Sequence, residues 1–145
     1  MQQSRIIRQQ TLQILCQYDS GNSEVASITG QDFNEELSKT VEPNAKVAAL
    51  AKHVWEDKEK ADARIVDLTP EWPTHRQPLV DRNILRLAHY EITSKMTPPI
   101  VAIDEAVELA KEFGTQESPA FINGVLNQVM EQFQNTGNDT ETATP

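Results

Sequence analysis

The chain has 145 residues and a formal net charge of −9, with 38% hydrophobic and 24% charged residues. This size and composition are typical of one globular domain with its own core. A single cysteine, Cys16, excludes an intramolecular disulfide framework and a thiolate metal site. No apolar stretch suits a signal peptide or a membrane span, so the sequence predicts a cytoplasmic protein without membrane contact. The acidic excess argues against a general nucleic-acid binder.

The N-terminal half has the spacing of apolar residues that helices require. The first predicted helix runs over 4–18, with Ser4 as its N-cap, and is followed by turn residues. A short helix is predicted over 32–39. A longer one begins near Pro43, which suits a first helical turn, and extends to residue 67.

The C-terminal half predicts three more helices. The segment 79–95 has the strongest core pattern, and 101–113 follows a proline pair and ends at a glycine. Ser118-Pro119 marks the start of the last helix. Residues 135–145 have little to bury, which predicts a disordered tail after a domain spanning 1–134. The sequence thus predicts an all-α domain of about five to seven helices.

Residues that could carry catalysis do not form a recognisable constellation. His53, His75 and His89 lack the spacing of a zinc site. Glu105 and Glu108 lie one helical turn apart, which is typical of a solvent-facing helix surface. No glycine belongs to a phosphate-binding loop. We therefore predict a binding protein with no catalytic residues, no metal and no cofactor.

The last predicted helix has features that packing alone need not explain. Gly124 lies inside it, where glycine costs about 1 kcal/mol relative to alanine. Close approach of another backbone would explain it, with Asn123 hydrogen-bonding a loop, although both residues could be purely structural. Phe121 lies near the helix amides, where it could stack on an unpaired base or pack in the core.

Three segments then combine into a pattern with a family resemblance. They are LVDRNILRLAHYE at 79–91, VAIDEAVELAKEFG at 101–114 and SPAFINGVL at 118–126. In this order and spacing they closely resemble the NusB family of bacterial transcription antitermination factors. Residues 5–19 match more loosely. The resemblance implies an all-helical fold of two packed subdomains.

The resemblance also implies a function and a set of contact residues. NusB proteins bind the boxA element of nascent rRNA with NusE, a small-subunit ribosomal protein, within the RNA polymerase antitermination complex, and so support rRNA synthesis. Residues expected to bind RNA are Arg5, Arg8, Phe121 and Asn123. Those expected to dock NusE are Asp81, Arg82 and Arg86.

The sequence also allows two alternative functions. The first helix has few arginines, and Cys16 stands where an aromatic residue is common in the family. A NusB-like protein-interaction module that has lost RNA binding would explain both. An accessory domain of an rRNA methyltransferase is a second alternative, against which a chain of 145 residues without a cofactor fold argues. The sequence leaves open whether the protein forms a homodimer.

Overall fold

The structure is a computed structural model that describes residues 5–20, 45–72 and 76–143, with side chains as far as residue 134. All regular secondary structure in these ranges is helical, which confirms the predicted fold class. The helices are α1 (Arg5–Ser20), α2 (Ala45–Leu68), α3 (Leu79–Thr93), α4 (Pro99–Phe113) and α5 (Ser118–Ala143). None of the described helices is both long and apolar enough to cross a membrane.

The helices α1 and α2 pack together as an N-terminal pair. Their buried residues recur at intervals of three and four, which places them on one side of each helix. On α1 they include Leu12, Leu15 and Cys16, and on α2 they include Leu50, Val54, Ala61 and Ile65. This pair packs across a shared core against the three C-terminal helices.

The helix α3 lies at the centre of the domain and contacts each of the other four helices. It therefore has buried residues around most of its circumference, including charged ones. Its apolar core residues include Ile84, Leu85, Leu87, Ala88 and Ile92. Ile122, Val125, Leu126 and Val129 of α5 complete the core beside it.

Several helix bounds differ from the sequence prediction. α3 ends at Thr93, and Lys95 has a left-handed φ of 63°, which stops the helix before residue 95. α4 begins at Pro99 because proline suits the first helical position. The backbone of α5 continues to Ala143, past residue 134, where the domain was predicted to end. The predicted helix over 32–39, Ser4 and Pro43 lie outside the described residues.

The turn between α4 and α5 explains Gly114. A Cβ atom there would lie 2.6 Å from the Oγ of Ser118 and 2.9 Å from the carbonyl oxygen of Ala110. Such distances are too short for any side chain, so glycine is required by the close approach of Ser118. The same hydroxyl accepts a 2.9 Å hydrogen bond from the amide of Thr115. The start of α5 is thereby fixed against the end of α4.

Candidate nucleic-acid interface

Arg5 lies at the exposed start of α1, where its side chain is 53% accessible. Its Nε and Nη2 each donate a 3.1 Å hydrogen bond to the carboxylate of Glu105 on α4. These hydrogen bonds hold the pKa of Glu105 below its ordinary value. Arg5 is therefore at the surface as predicted, but its guanidinium already faces a carboxylate.

Arg8 lies one turn further along α1 and is buried, with only 2% of its surface exposed. Its Nη2 and Nε bind the two carboxylate oxygens of Glu91 at 2.7 and 3.1 Å. Thr97 donates a further 2.7 Å hydrogen bond to Glu91. The structure thus places Arg8 in a buried ion pair that joins α1 to α3, and its guanidinium does not reach the surface.

Asp81, expected to dock a protein partner, is also buried, at 3% exposure. Its carboxylate accepts a 2.7 Å hydrogen bond from the hydroxyl of Ser118. Burial raises the pKa of Asp81, and the hydrogen bond from Ser118 opposes that shift. In this structure Asp81 therefore connects the first turn of α3 to the first turn of α5, and its carboxylate is buried.

Arg82 and Arg86 form a network with carboxylates of two other helices. Arg82 binds Asp19 at the end of α1. Arg86 binds Asp62 of α2 at 2.7 and 2.9 Å, and its Nη1 lies 3.1 Å from Asp19. Burial raises the pKa of Asp19, but hydrogen bonds from Arg82 and Asn83 outweigh it and the pKa is lowered. Arg86 is buried and Arg82 is partly accessible.

An aromatic pair lies where α5 begins. Phe121 packs against Trp72, with ring centroids 4.9 Å apart and planes tilted by 50°. Trp72 is 40% exposed, and its Nε1 donates a 3.1 Å hydrogen bond to the carbonyl of Arg76. The sequence indicated Phe121 but assigned no role to Trp72. Together the two rings form a partly exposed apolar surface.

The exposed face of α5 extends from this pair. Phe121 and Asn123 are two residues apart, or about 200° around a helix, so they lie at opposite edges of that face. Gly124 lies between them, and a Cβ atom added there would meet nothing within 4 Å. The predicted close approach of another backbone to Gly124 is therefore wrong for the described chain. The glycine leaves this face open.

The remaining sequence candidates are Cys16 and the histidines. Cys16 is buried, and burial raises the pKa of its thiol well above the ordinary value, which makes it unreactive. Among the described residues, no three or more His, Cys, Asp or Glu side chains cluster as a metal site would require. His75 lies outside those residues. The fold and these contacts define an all-helical domain whose accessible polar and aromatic groups suit a macromolecular ligand.

Comparison with known proteins identifies the family. The model of the NusB family matches residues 5–131. The chain is 38% identical over 127 residues to the transcription antitermination protein NusB of Streptomyces coelicolor, covering 86% of this chain and 89% of that protein. It is 40% identical over 130 residues to NusB of Solibacter usitatus, covering 89% of each.

A solved structure has the same fold. NusB of T. maritima aligns with a TM-score of 0.70 and 28% sequence identity, over 90% of this chain and 93% of that one. The chain belongs to the NusB family of transcription antitermination factors, whose role is not enzymatic.

Proposed function

We propose that this protein binds the boxA element of rRNA leader transcripts together with NusE, within the RNA polymerase antitermination complex, and so supports rRNA synthesis. The observation that carries this proposal is the exposed face of α5, where the Trp72–Phe121 pair lies beside an open Gly124. Single-stranded RNA is recognised largely by stacking of unpaired bases on aromatic rings. An apolar pair at the surface of an acidic protein fits that requirement.

The phosphate contacts in this proposal differ from those expected from the sequence. Arg5 remains a candidate because half of its side chain is accessible. Its Nε and Nη2 are bound to Glu105, so a phosphate would bind at Nη1 or replace that carboxylate. Arg8 is left out because it is buried against Glu91. RNA binding by this chain alone should therefore be weak and should tighten when NusE adds positive charge.

The partner surface is proposed at the start of α3. Arg82 is accessible there, beside Asp19. Asp81 and Arg86 are buried beneath this surface, where Asp81 binds Ser118 and Arg86 binds Asp62. A basic protein such as NusE would meet an acidic molecule of net charge −9, and complementary charge speeds such encounters.

The test is fluorescence anisotropy of a labelled boxA RNA titrated with this protein, with and without NusE, at two salt concentrations. We expect salt-sensitive binding that tightens with NusE. Arg5→Ala should flatten the dependence of log Kobs on log[salt] by about 0.7, the value for one single-strand phosphate contact. Lys111→Ala is the matched control, because Lys111 is an exposed cation on α4 that binds a neighbouring carboxylate.

One observation favours a second candidate, an interaction module of the same fold without RNA binding. Both predicted N-terminal arginines are bound to carboxylates, Arg5 to Glu105 and Arg8 to Glu91. The same titration separates the two functions. NusE association without an anisotropy change in either salt would support the module. Light scattering of the free protein would show whether it forms a homodimer.

A further inference from the structure

A cleft of about 380 Å³ lies between α2 and the C-terminal half of α3, away from the predicted RNA residues. Its lining includes Lys60 and Arg64 from α2, His89 and Thr93 from α3, and Ser94 just after α3. A volume of this size lies within the range of small-ligand sites.

Arg64 differs from the arginines described above in having neutral partners. Its Nε donates a 3.2 Å hydrogen bond to Nε2 of His89, and its Nη1 donates a 3.1 Å hydrogen bond to Oε1 of Gln132 on α5. No carboxylate of the described residues lies within ion-pair distance of it. Its guanidinium is therefore oriented in advance by neutral groups, which lowers the ordering cost of binding an anion.

His89 is the buried group that fixes Arg64. It is 3% exposed, and because its Nε2 accepts from Arg64, the neutral ring carries its proton on Nδ1. That Nδ1 lies 3.3 Å from Oδ2 of Asp57, and neither atom completes a hydrogen bond among the described residues. Burial lowers the pKa of His89, and the charge of Arg64 lowers it further while Asp57 opposes this. The ring is thus neutral and acts as an acceptor for Arg64.

The other groups of the cleft are suited to an anionic oxygen ligand. Lys60 lies one turn before Arg64 on α2 and is exposed. Thr93 at the end of α3 and Ser94 just after it also line the cleft, and their hydroxyls can act as donors. One carboxylate, Asp57, opposes an anion, but its Oδ2 is buried and turned to His89. Lys60, Arg64 and the two hydroxyls match the donor set of a phosphate site.

The cleft is connected to the aromatic pair along α5. Gln132, which holds Arg64, is on the same side of α5 as Phe121 and Gln128, because intervals of four and seven residues return to one side. Eleven residues separate Phe121 from Gln132, about 16 Å at the helical rise. The side chain of Gln128 on this path is exposed, and Gly124 beside it leaves space.

We propose that the cleft formed by Lys60, Arg64, Thr93 and Ser94 is a phosphate-binding subsite. Its ligand is either a backbone phosphate of single-stranded RNA whose bases lie along α5, or the phosphate of a small metabolite. The first source rests on the proposed function, and the second does not. In both cases Lys60 and Arg64 supply the charge, and His89 and Gln132 position Arg64.

The test is a titration of the ¹⁵N-labelled full chain, followed by NMR, in two arms at constant ionic strength. One arm adds inorganic phosphate against chloride, and the other adds a single-stranded boxA RNA. We expect saturable shifts of the Thr93 and Ser94 amides in the phosphate arm. Lys60→Gln should weaken that binding about two- to fivefold, as expected for one exposed charge contact. Lys111→Gln on α4, with the same change in charge, should not.

Arg64→Gln should weaken phosphate binding as well. If the loss of the Arg64 hydrogen bonds disturbs folding, Lys60→Gln still tests the site, because Lys60 is exposed. Shifts in both arms assign the cleft to the RNA backbone, and shifts with phosphate alone assign it to a small ligand. No saturable shift in either arm, or equal binding by Lys60→Gln and Lys111→Gln, would overturn the proposal. RNA that binds and shifts only α5 residues, with no saturable shift in the phosphate arm, leaves the proposed function intact while this inference fails.

Discussion

The two sides of α3 hold their arginines in different ways. On one side, Glu91 binds Arg8 of α1 in a buried ion pair at 2.7 Å. On the other side, His89 accepts a hydrogen bond from Arg64 of α2, which has no carboxylate partner among the described residues. An arginine bound to a buried carboxylate holds the fold together, whereas one held by neutral groups keeps its charge for a ligand. Charge counted along the sequence cannot separate these two roles.

The largest expected effect concerns the buried pair. Arg8→Ala leaves Glu91 buried without its partner, and breaking such a pair costs about 3–5 kcal/mol of unfolding free energy. Urea denaturation measures this loss. Arg5→Ala, at the exposed pair with Glu105, should remain close to wild type. If Arg8→Ala is as stable as wild type but binds RNA more weakly, Arg8 contacts the RNA and does not mainly stabilise the fold.

The second effect concerns the aromatic pair. Phe121→Ala should weaken boxA RNA binding by about 1–3 kcal/mol, the range for loss of one stacked base. Trp72→Leu, which keeps apolar contact with Phe121 but removes the exposed indole, should weaken it as well. Ile100→Ala on α4 is the control, because Ile100 is an exposed apolar residue far along the chain from the pair. Anisotropy with NusE present gives the RNA affinities of all three variants. Equal affinities would mean that the aromatic pair does not contact the RNA.

The third effect has opposite signs for stability and binding. Gly124→Ala should raise the free energy of unfolding by up to about 1 kcal/mol, because alanine favours the helix and the added Cβ meets nothing within 4 Å. Gly124→Leu should keep the fold but weaken RNA binding by filling the open face. Lys111→Leu, on α4, controls for a leucine added to the surface. Unchanged RNA affinity in Gly124→Leu would mean that the ligand avoids this face.

The smallest effect is a dependence of stability on pH. Burial lowers the pKa of His89 below its ordinary value of 6.5, so the unfolded chain binds more protons than the folded one. The contribution of His89 to stability is therefore complete above about pH 6.5 and is lost as the pH falls through the folded pKa. Melting temperatures between pH 7.5 and 5 should fall more for wild type than for His89→Gln. Asp81, whose pKa is raised by burial, affects stability in the opposite direction, but it does so in both proteins, so its effect cancels in their comparison. Melting temperatures that fall equally in both proteins would contradict a neutral His89.

Much of the fold could be predicted from local sequence, because helix periodicity and proline or glycine punctuation are local signals. In the predicted helix over 79–95, Ile84, Leu87, Ala88 and Ile92 are buried, as its strong core pattern indicated. The helical class and the lack of an enzymatic role follow from the three blocks that resemble the NusB family, and both agree with the family match.

The candidate site could be predicted only in part, because the partners of its charged residues are distant in sequence. Arg8 and Glu91 are 83 residues apart, and Asp81 and Ser118 are 37 apart. No pattern within one helix shows that such residues meet in the core. Trp72 and Arg64 were missed for the same reason, since Phe121 and Gln132 reach them from another helix.

The most direct test of the account maps where RNA contacts the protein. A boxA RNA with photoreactive uridines can be crosslinked to the full chain in the presence of NusE, and the modified residues found by mass spectrometry. We expect crosslinks at Trp72, Phe121 and the neighbouring exposed residues of α5. Crosslinks confined to α1, with none on α5, would contradict it and place the RNA on the arginine helix instead.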